Sequence, residues 1–498
     1  MVRPRLRSLM AEPLRSAILL PPLVCIYAFL LHWVYSTHVS PQFSYLGYRY
    51  EEPSPVAVTI SVLITIGVAF ALPRRLDRAS SIVLWILFTV AVAPSILMAP
   101  YTSYVDEGVA IQIGFVVGAT YALVALAQSP NPRPLNFHVR PRTLWIVLAV
   151  FSLVTYSLLL FTQGLRLNFL SILDVYDVRA EFADEVRRVG ALGYLVTAQA
   201  NVINPLLAAV GLTRRNWPLL TTAVAAQLVL YSTTGYKHVL FAVLAWAVMA
   251  LLLRAHGKMT HANLIMWGAS AMVLVAAVAD ALISTNIATS LFSRRFILTP
   301  GLFTSVYVGF FSENPQAHLG YSVLAPFVDY PYDVPPPYLI GDWIAGDPAM
   351  SSNANLFADG FANFGFLGMI GAGAVLLVYL RLLDRAAVGL PIVLVGFVTV
   401  IPSVALSNSS ILTSMLSHGL VAAWLALALM GRPTAAEQEF LPRDVTRPRS
   451  RGIVEMLGDR WRKRRRALDR PSYARSLDDM APAAAHDSVD ETSGARPA

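Results

Sequence analysis

Runs of about 20 mostly apolar residues, the length that crosses a bilayer as a helix, recur along this chain with short polar breaks between them. They fall at 16–37, 55–73, 79–99, 109–128, 143–163, 191–213, 218–235, 238–254, 264–284, 365–383, 388–407 and 411–430. The pattern predicts an all-α fold, a polytopic membrane bundle of about twelve transmembrane helices. The breaks alternate in character. Arg74-Arg75-Leu76-Asp77-Arg78, the 129–142 stretch, Arg214-Arg215, Arg254 to Lys258 and Arg381 to Arg385 are all basic. The intervening breaks at 38–54, 100–108 and 408–410 hold one arginine, Arg49, and no lysine. Lys and Arg favour short cytoplasmic loops, so an even helix count puts both termini in the cytoplasm.

Composition agrees with the membrane reading and excludes others. Hydrophobic residues make up 56% of the chain and charged residues 14%, against roughly 25% charge in a soluble domain; mean hydropathy is +0.57. The formal charge of +8 does not point to nucleic acid, because the basic residues sit in membrane-flanking loops and in the tail. Cys25 is alone, so no intrachain disulfide forms. Arg3, Arg5, Arg7 and Arg15 precede the first apolar run, which ends in His32-Trp33-Val34-Tyr35. That ending suits an interfacial aromatic belt on a retained helix, not a cleaved leader. Three regions follow: a basic cytoplasmic N-terminus (1–15), a transmembrane domain (16–430) and a basic, largely disordered cytoplasmic tail (431–498). The tail holds 14 Lys and Arg and 11 Asp and Glu, a composition too charged to bury a core. Within it Ile453, Leu457, Trp461 and Leu468 keep near-helical spacing, which fits either a basic helix on anionic lipid or a solvated segment.

Two outward loops are long. The first, 164–190, alternates acids and bases and predicts a short surface helix. The second, 285–364, is long enough that a functional role is the ordinary expectation. Phe296 to Phe311 inside it is nearly uncharged, but Pro300-Gly301 interrupts it. It is read as a helix lying on, or re-entering, the outer membrane face.

The candidate chemistry lies in these loops. Arg179, in Asp-Val-Tyr-Asp-Val-Arg-Ala-Glu-Phe (174–182), and Arg294-Arg295, in Ser-Arg-Arg-Phe (293–296), break the positive-inside bias. Guanidinium groups bind phosphate oxygens in forked pairs, although surface ion pairing with Asp177, Glu181 or Asp184 is the plainer alternative. Lys237 ends the tight Thr233-Thr234-Gly235-Tyr236-Lys237 turn, where free N–H groups can hold an anion or the lysine can simply snorkel. Glu313, Asp359 and His318 are the outward groups suited by type to take a proton from a sugar hydroxyl. Tyr321, Tyr330, Tyr332, Tyr338 and Trp343 could stack on sugar rings or cover the bundle. No glycine-rich P-loop and no metal-ligand spacing is present, and ionisable groups inside the helices are too few for a typical proton-coupled transporter.

Four stretches carry a resemblance. Ser293-Arg294-Arg295-Phe296, continuing through Pro300-Gly301 and Tyr307 to Phe310-Phe311-Ser312-Glu313-Asn314-Pro315, resembles a signature of bacterial oligosaccharide repeat-unit polymerases of the O-antigen polymerase class. So does Asn353-Ala354-Asn355-Leu356-Phe357-Ala358-Asp359-Gly360-Phe361-Ala362-Asn363-Phe364-Gly365. The Thr-Gly-Tyr-Lys turn at 234–237 and Tyr-Asp-Val-Arg at 176–179 are similar to features at matching places. The resemblance covers roughly 16–430 and implies a multi-pass glycosyltransferase of the cytoplasmic membrane. Such an enzyme joins repeat units carried on undecaprenyl diphosphate at the outer face, with no metal or other cofactor. Arg179, Arg294, Arg295 and Lys237 would hold the diphosphate. Glu313, Asp359 or His318 would act on the acceptor hydroxyl, and Tyr307, Asn353 and Asn355 would meet the glycan. A flippase and a chain-length regulator are the partners such a system implies. Two rivals stand beside this reading. An O-antigen-type ligase shares the architecture, and His318 would suit its base. A lipid-linked oligosaccharide flippase would instead spread its cations through a deep central cavity.

Overall fold

The computed structural model describes residues 3–135, 139–164, 182, 186, 188–255, 259–322 and 324–430, with backbone alone before residue 17. The chain divides into two units, Met1–Gly452 and Ile453–Ala498, and the second lies outside the described residues. The described chain is all-helical, and an isolated antiparallel bridge joins Tyr50 to Thr102.

The long helices are α1 (Arg3–Val34), α2 (Pro55–Ala71), α3 (Ala79–Tyr101), α4 (Glu107–Leu126), α5 (Pro141–Gln163), α6 (Gly190–Thr213), α7 (Trp217–Thr234), α8 (Lys237–Arg254) and α9 (His261–Ile283). After them come α10 (Thr299–Glu313), α11 (Pro336–Ala345), α12 (Leu356–Ala387), α13 (Ile392–Ala405), α14 (Ile411–Ser417) and α15 (Leu420–Leu429). Helix starts follow local chemistry. Ser54, Asp106, Asn216 and Ser410 each accept a hydrogen bond from an N–H in the first turn they precede, and Pro55 and Pro141 open their helices where no N–H is needed.

Eight described helices are long and apolar enough to cross a membrane, and α14 with α15, bent by 56° at His418-Gly419, would make a ninth. Helices α2 and α13 are apolar but shorter. The segment expected at 365–383 is longer than its apolar run, because α12 begins at Leu356 and breaks at Phe364 (φ −148°, ψ 29°) and Gly365 (φ 58°, ψ −148°). Glycine supplies the left-handed φ that a side chain would resist.

Among the described residues, four π-helical stretches interrupt the bundle, at Tyr35–Val39, Phe88–Val92, Gln199–Ile203 and Thr289–Leu298. Each is followed two residues later by a proline: Pro41, Pro94, Pro205 and Pro300. A proline ring collides with the carbonyl one turn back and offers no N–H, so the preceding turn widens to make room. The Thr89 carbonyl lies five residues before Pro94 and so lacks its π-type donor; the buried Tyr27 hydroxyl donates to it at 2.6 Å. In a medium without water, that bond satisfies a group that would otherwise stay open.

The bundle has two chemically distinct ends. At one, Arg78 reaches the Ser129 carbonyl (2.7 Å), Arg381 that of Ala127 (2.8 Å), and the Ala262 N–H that of Arg74 (3.2 Å). This basic end gathers 74–80, 127–135, 261–262 and 381–385. At the other, Tyr104 donates to the Gly47 carbonyl (2.9 Å), Glu51 N–H to that of Tyr101 (3.0 Å), and Asn286 to the Gln42 side chain (3.0 Å). That end holds the 285–355 segment. Arg49, the exception to the charge pattern, sits there with its guanidinium 5.9 Å from the Tyr104 ring centre.

Candidate functional site

The long segment at 285–364, expected to carry a helix over 296–311, is helical over Thr289–Glu313, Pro336–Ala345 and from Leu356 onward. Asp280, at the end of α9, turns the chain into it. Its carboxylate accepts from the Thr285 hydroxyl (2.7 Å) and the backbone N–H groups of Ala288 (3.0 Å) and Thr289 (2.6 Å). A carboxylate at the start of a helix satisfies donors that have no partner inside it. The π-helical Thr289–Leu298 then runs directly into α10. Its Gly301 backbone abuts Pro94 and its Gly309 backbone abuts the Tyr104 carbonyl, so α10 lies against the upper turns of α3 and the loop beyond.

The two arginines of this segment are in different situations. Arg294 is 5% exposed: its guanidinium lies 4.0 Å from the Phe43 ring centre and 5.4 Å from that of Tyr48, and donates to the Ser290 hydroxyl at 2.7 Å. Planar guanidinium on an aromatic face is a stable way to seat a buried cation. Arg295 is exposed. The aromatic seat in the short 38–54 loop was not legible in the sequence, because Phe43 and Tyr48 stand there among ordinary polar loop residues.

Two ring contacts tie the other cationic segments to this one. Phe292, one turn before Arg295, packs edge-on against Phe241, one turn into α8 from Lys237 (5.8 Å between ring centres). Phe182, fully buried, packs edge-on against Tyr236 at 5.5 Å, beside half-buried Lys237. Gly235, at φ 64°, makes the turn that sets α7 against α8. Arg179 lies outside the described residues, three positions before Phe182.

The acidic part of the site is built on the break in α12. Asn355 caps its start, accepting from the N–H groups of Phe357 (2.8 Å) and Ala358 (3.1 Å) and donating to the Pro300 carbonyl (2.6 Å) and the Thr304 hydroxyl (2.7 Å). The short arm 356–363 then folds back on the rest of the helix where Gly360 and Gly368 meet backbone to backbone. Asp359 sits on this arm, partly buried, and its carboxylate accepts a short hydrogen bond from the Tyr321 phenol. Burial, and next the Asp359 charge, push the Tyr321 hydroxyl well above its ordinary pKa, so it stays a donor. Asn363 donates to both the Tyr321 oxygen (2.9 Å) and the Asp359 carbonyl (2.8 Å), and its own oxygen accepts from Leu319 N–H (2.7 Å). His318 and Leu319, at φ 45° and 63°, form the tight turn that this bond secures.

The remaining expected residues divide in two. Glu313, at the end of α10, His318, with its ring 5.6 Å from that of Phe364, and Asn353 are exposed. Tyr307 is buried and donates to the Ser352 carbonyl at 2.7 Å, and Asn355 is fully buried. The expectation was that these last two meet a glycan; in the structure their polar groups are engaged inside the protein. Tyr321, expected either to stack on a sugar or to cover the bundle, is a hydrogen-bond donor to Asp359. Around them Trp343 packs against Tyr104 (5.4 Å) and Phe310 (5.5 Å) and remains 43% exposed, leaving one aromatic face open. Among the described residues no group of three or more His, Cys, Asp or Glu side chains gathers at one point.

Chemically the end away from the basic loops carries Arg295 and Lys237, a partly buried carboxylate with a phenol partner, and a partly exposed aromatic ring, Trp343. No protein-family model matches the chain, and no curated protein or solved structure is similar to it.

Proposed function

We propose that this chain is a membrane glycosyltransferase that polymerises undecaprenyl-diphosphate-linked oligosaccharide repeat units into a surface polysaccharide. In this reading it crosses the cytoplasmic membrane about twelve times, with both termini in the cytoplasm and the 285–364 segment outside. The observation that carries it is the pair of ring contacts, Phe241 with Phe292 and Phe182 with Tyr236, which bring Phe182 and the segments bearing Lys237 and Arg295 toward one another at the non-basic end of the bundle. Cations concentrated in that one zone suit a diphosphate leaving group more than a deep transport path.

In the proposed reaction a hydroxyl of the acceptor repeat unit attacks the anomeric carbon of the donor glycan. The bond to the diphosphate oxygen breaks, and the negative charge grows on the departing lipid diphosphate. Arg295, Lys237 and Arg179 stabilise that charge. Arg294, seated on Phe43 and Tyr48, holds the helix that presents Arg295. Asp359 accepts the hydroxyl proton, and Tyr321 and Asn363 fix its orientation. Glu313 and His318, both exposed, are the reserve bases.

The test is deletion of the gene followed by analysis of lipid-linked sugars. Single repeat units accumulating on undecaprenyl diphosphate support polymerisation. Accumulated finished polymer would make the chain a ligase, and repeat units trapped on the cytoplasmic side would make it a flippase.

A further inference from the structure

At the basic end, a cavity of about 450 Å³ opens between the ends of α4 and α12, lined by Gln128, Asn131, Arg133, Arg381, Asp384 and Arg385. Three guanidinium groups and one carboxylate are among its lining groups. Arg381 donates one N–H to the Ala127 carbonyl (2.8 Å) and Arg385 one to that of Arg133 (3.1 Å), of the five that each guanidinium carries. None of the three forms an ion pair with a described carboxylate. Asp384 is turned away from them: its two oxygens accept from the Ser80 N–H (2.7 Å) and hydroxyl (2.6 Å). The cavity wall therefore keeps an excess of positive charge.

Gln128 makes a second, independent demand. It is 8% exposed, and its amide nitrogen donates to the Val124 carbonyl at 2.9 Å, while its buried side-chain oxygen has no partner. A buried acceptor left open costs free energy unless an O–H or N–H reaches it. A ligand that answers both demands carries an anion for the arginines and a hydroxyl for Gln128. Leu126 (50% exposed) and Leu382 (37%), close in sequence to the lining residues, add exposed apolar surface at these helix ends, which suits acyl chains.

We propose that this cavity binds the head group of an anionic, hydroxyl-bearing phospholipid, a phosphodiester of a polyol, drawn from the leaflet at the basic end. Basic pockets between transmembrane helices are the ordinary setting for such head groups. Free hydrogen phosphate shares the chemistry but brings no chain to cover the leucines. The site lies at the opposite end from the proposed transferase centre and does not depend on that reading.

The test uses the full chain, purified in mild detergent and offered equal amounts of phosphatidylglycerol and phosphatidylcholine, with bound lipid read by native mass spectrometry. Phosphatidylglycerol should be retained at least about tenfold better than phosphatidylcholine, and the Arg381→Gln/Arg385→Gln double variant should lose that preference. Phosphatidylmethanol, which keeps the charge but lacks the hydroxyl, should bind more weakly than phosphatidylglycerol to the wild type and equally to Gln128→Leu. Millimolar inorganic phosphate should not displace the lipid. Equal retention of phosphatidylglycerol and phosphatidylcholine by the wild type overturns the proposal, and needs no variant to fold. Displacement by inorganic phosphate overturns the lipid source, and an unchanged preference in a folded double variant overturns the site.

Discussion

Tyr321 donates its phenol to the Asp359 carboxylate, and Asn363, one turn further along the same helical arm, binds them both. The three residues come from opposite sides of a 40-residue excursion of the chain, and the bond exists only because α12 breaks at Phe364-Gly365 and presents its short arm to the turn at 317–322. It marks Asp359 as a positioned carboxylate, unlike exposed Glu313.

Asp359→Asn should abolish polymer formation while leaving a folded protein, because the amide keeps the shape and still accepts from Tyr321. Tyr321→Phe should lower thermal stability by about 1–3 kcal/mol, the usual cost of a partly buried acceptor losing its donor, and reduce turnover less than Asp359→Asn does. The check is polymer yield in a lipid-reconstituted assay beside thermal unfolding in detergent. Near-normal polymer from folded Asp359→Asn removes this residue from the mechanism and returns the base to Glu313 or His318.

Arg294 and Arg295 should separate cleanly. Arg294→Ala, which loses the stack on Phe43 and Tyr48, should cost ~1–2 kcal/mol of stability, and Arg294→Lys should not restore it, because a lysine lacks the flat face. Arg295→Ala should unfold at the wild-type temperature yet lose activity. Unfolding curves and polymer assays on the three variants decide; full activity in Arg295→Ala would break the proposed link between this arginine and the diphosphate.

The fold-back in α12 depends on two glycines. A Cβ at Gly360 would sit 2.5 Å from the Gly368 carbonyl oxygen, whereas one at Gly371 meets nothing within 4 Å. Gly360→Ala should therefore destabilise the protein by about 1–3 kcal/mol, as overpacking does, and Gly371→Ala should be neutral or slightly stabilising. Equal melting temperatures for the two variants would mean the arm is not packed against the span as described.

Orientation is open to direct chemistry. In a Cys25→Ser background, a cysteine at exposed Asp347 should react with an impermeant thiol reagent in intact cells, and one at exposed Asn131 only after permeabilisation. The reverse pattern would turn the bundle over and place the cationic zone in the cytoplasm.

The sequence alone determined that the chain is helical and membrane-embedded, because a 20-residue apolar run in a bilayer has only one economical way to satisfy its backbone. It also marked Arg294-Arg295 and Lys237 as out of keeping with their surroundings, since charge is conspicuous in so apolar a chain, and offered Asp359 only beside Glu313 and His318. It did not reveal that Arg294 is seated on Phe43 and Tyr48 or that Asn355 is buried as a cap on Thr304 and Pro300. Nor did it show that Asp280 starts the next helix. These partners are many residues apart, and local propensity carries no information about which distant surfaces meet. The prolines are the intermediate case. Pro300 announces an interruption in the sequence and Pro94 lies inside a predicted span, but whether a helix ends, kinks or widens into a π-turn depends on which neighbour can satisfy the orphaned carbonyl. Only the packed bundle, where Tyr27 reaches Thr89, decides that.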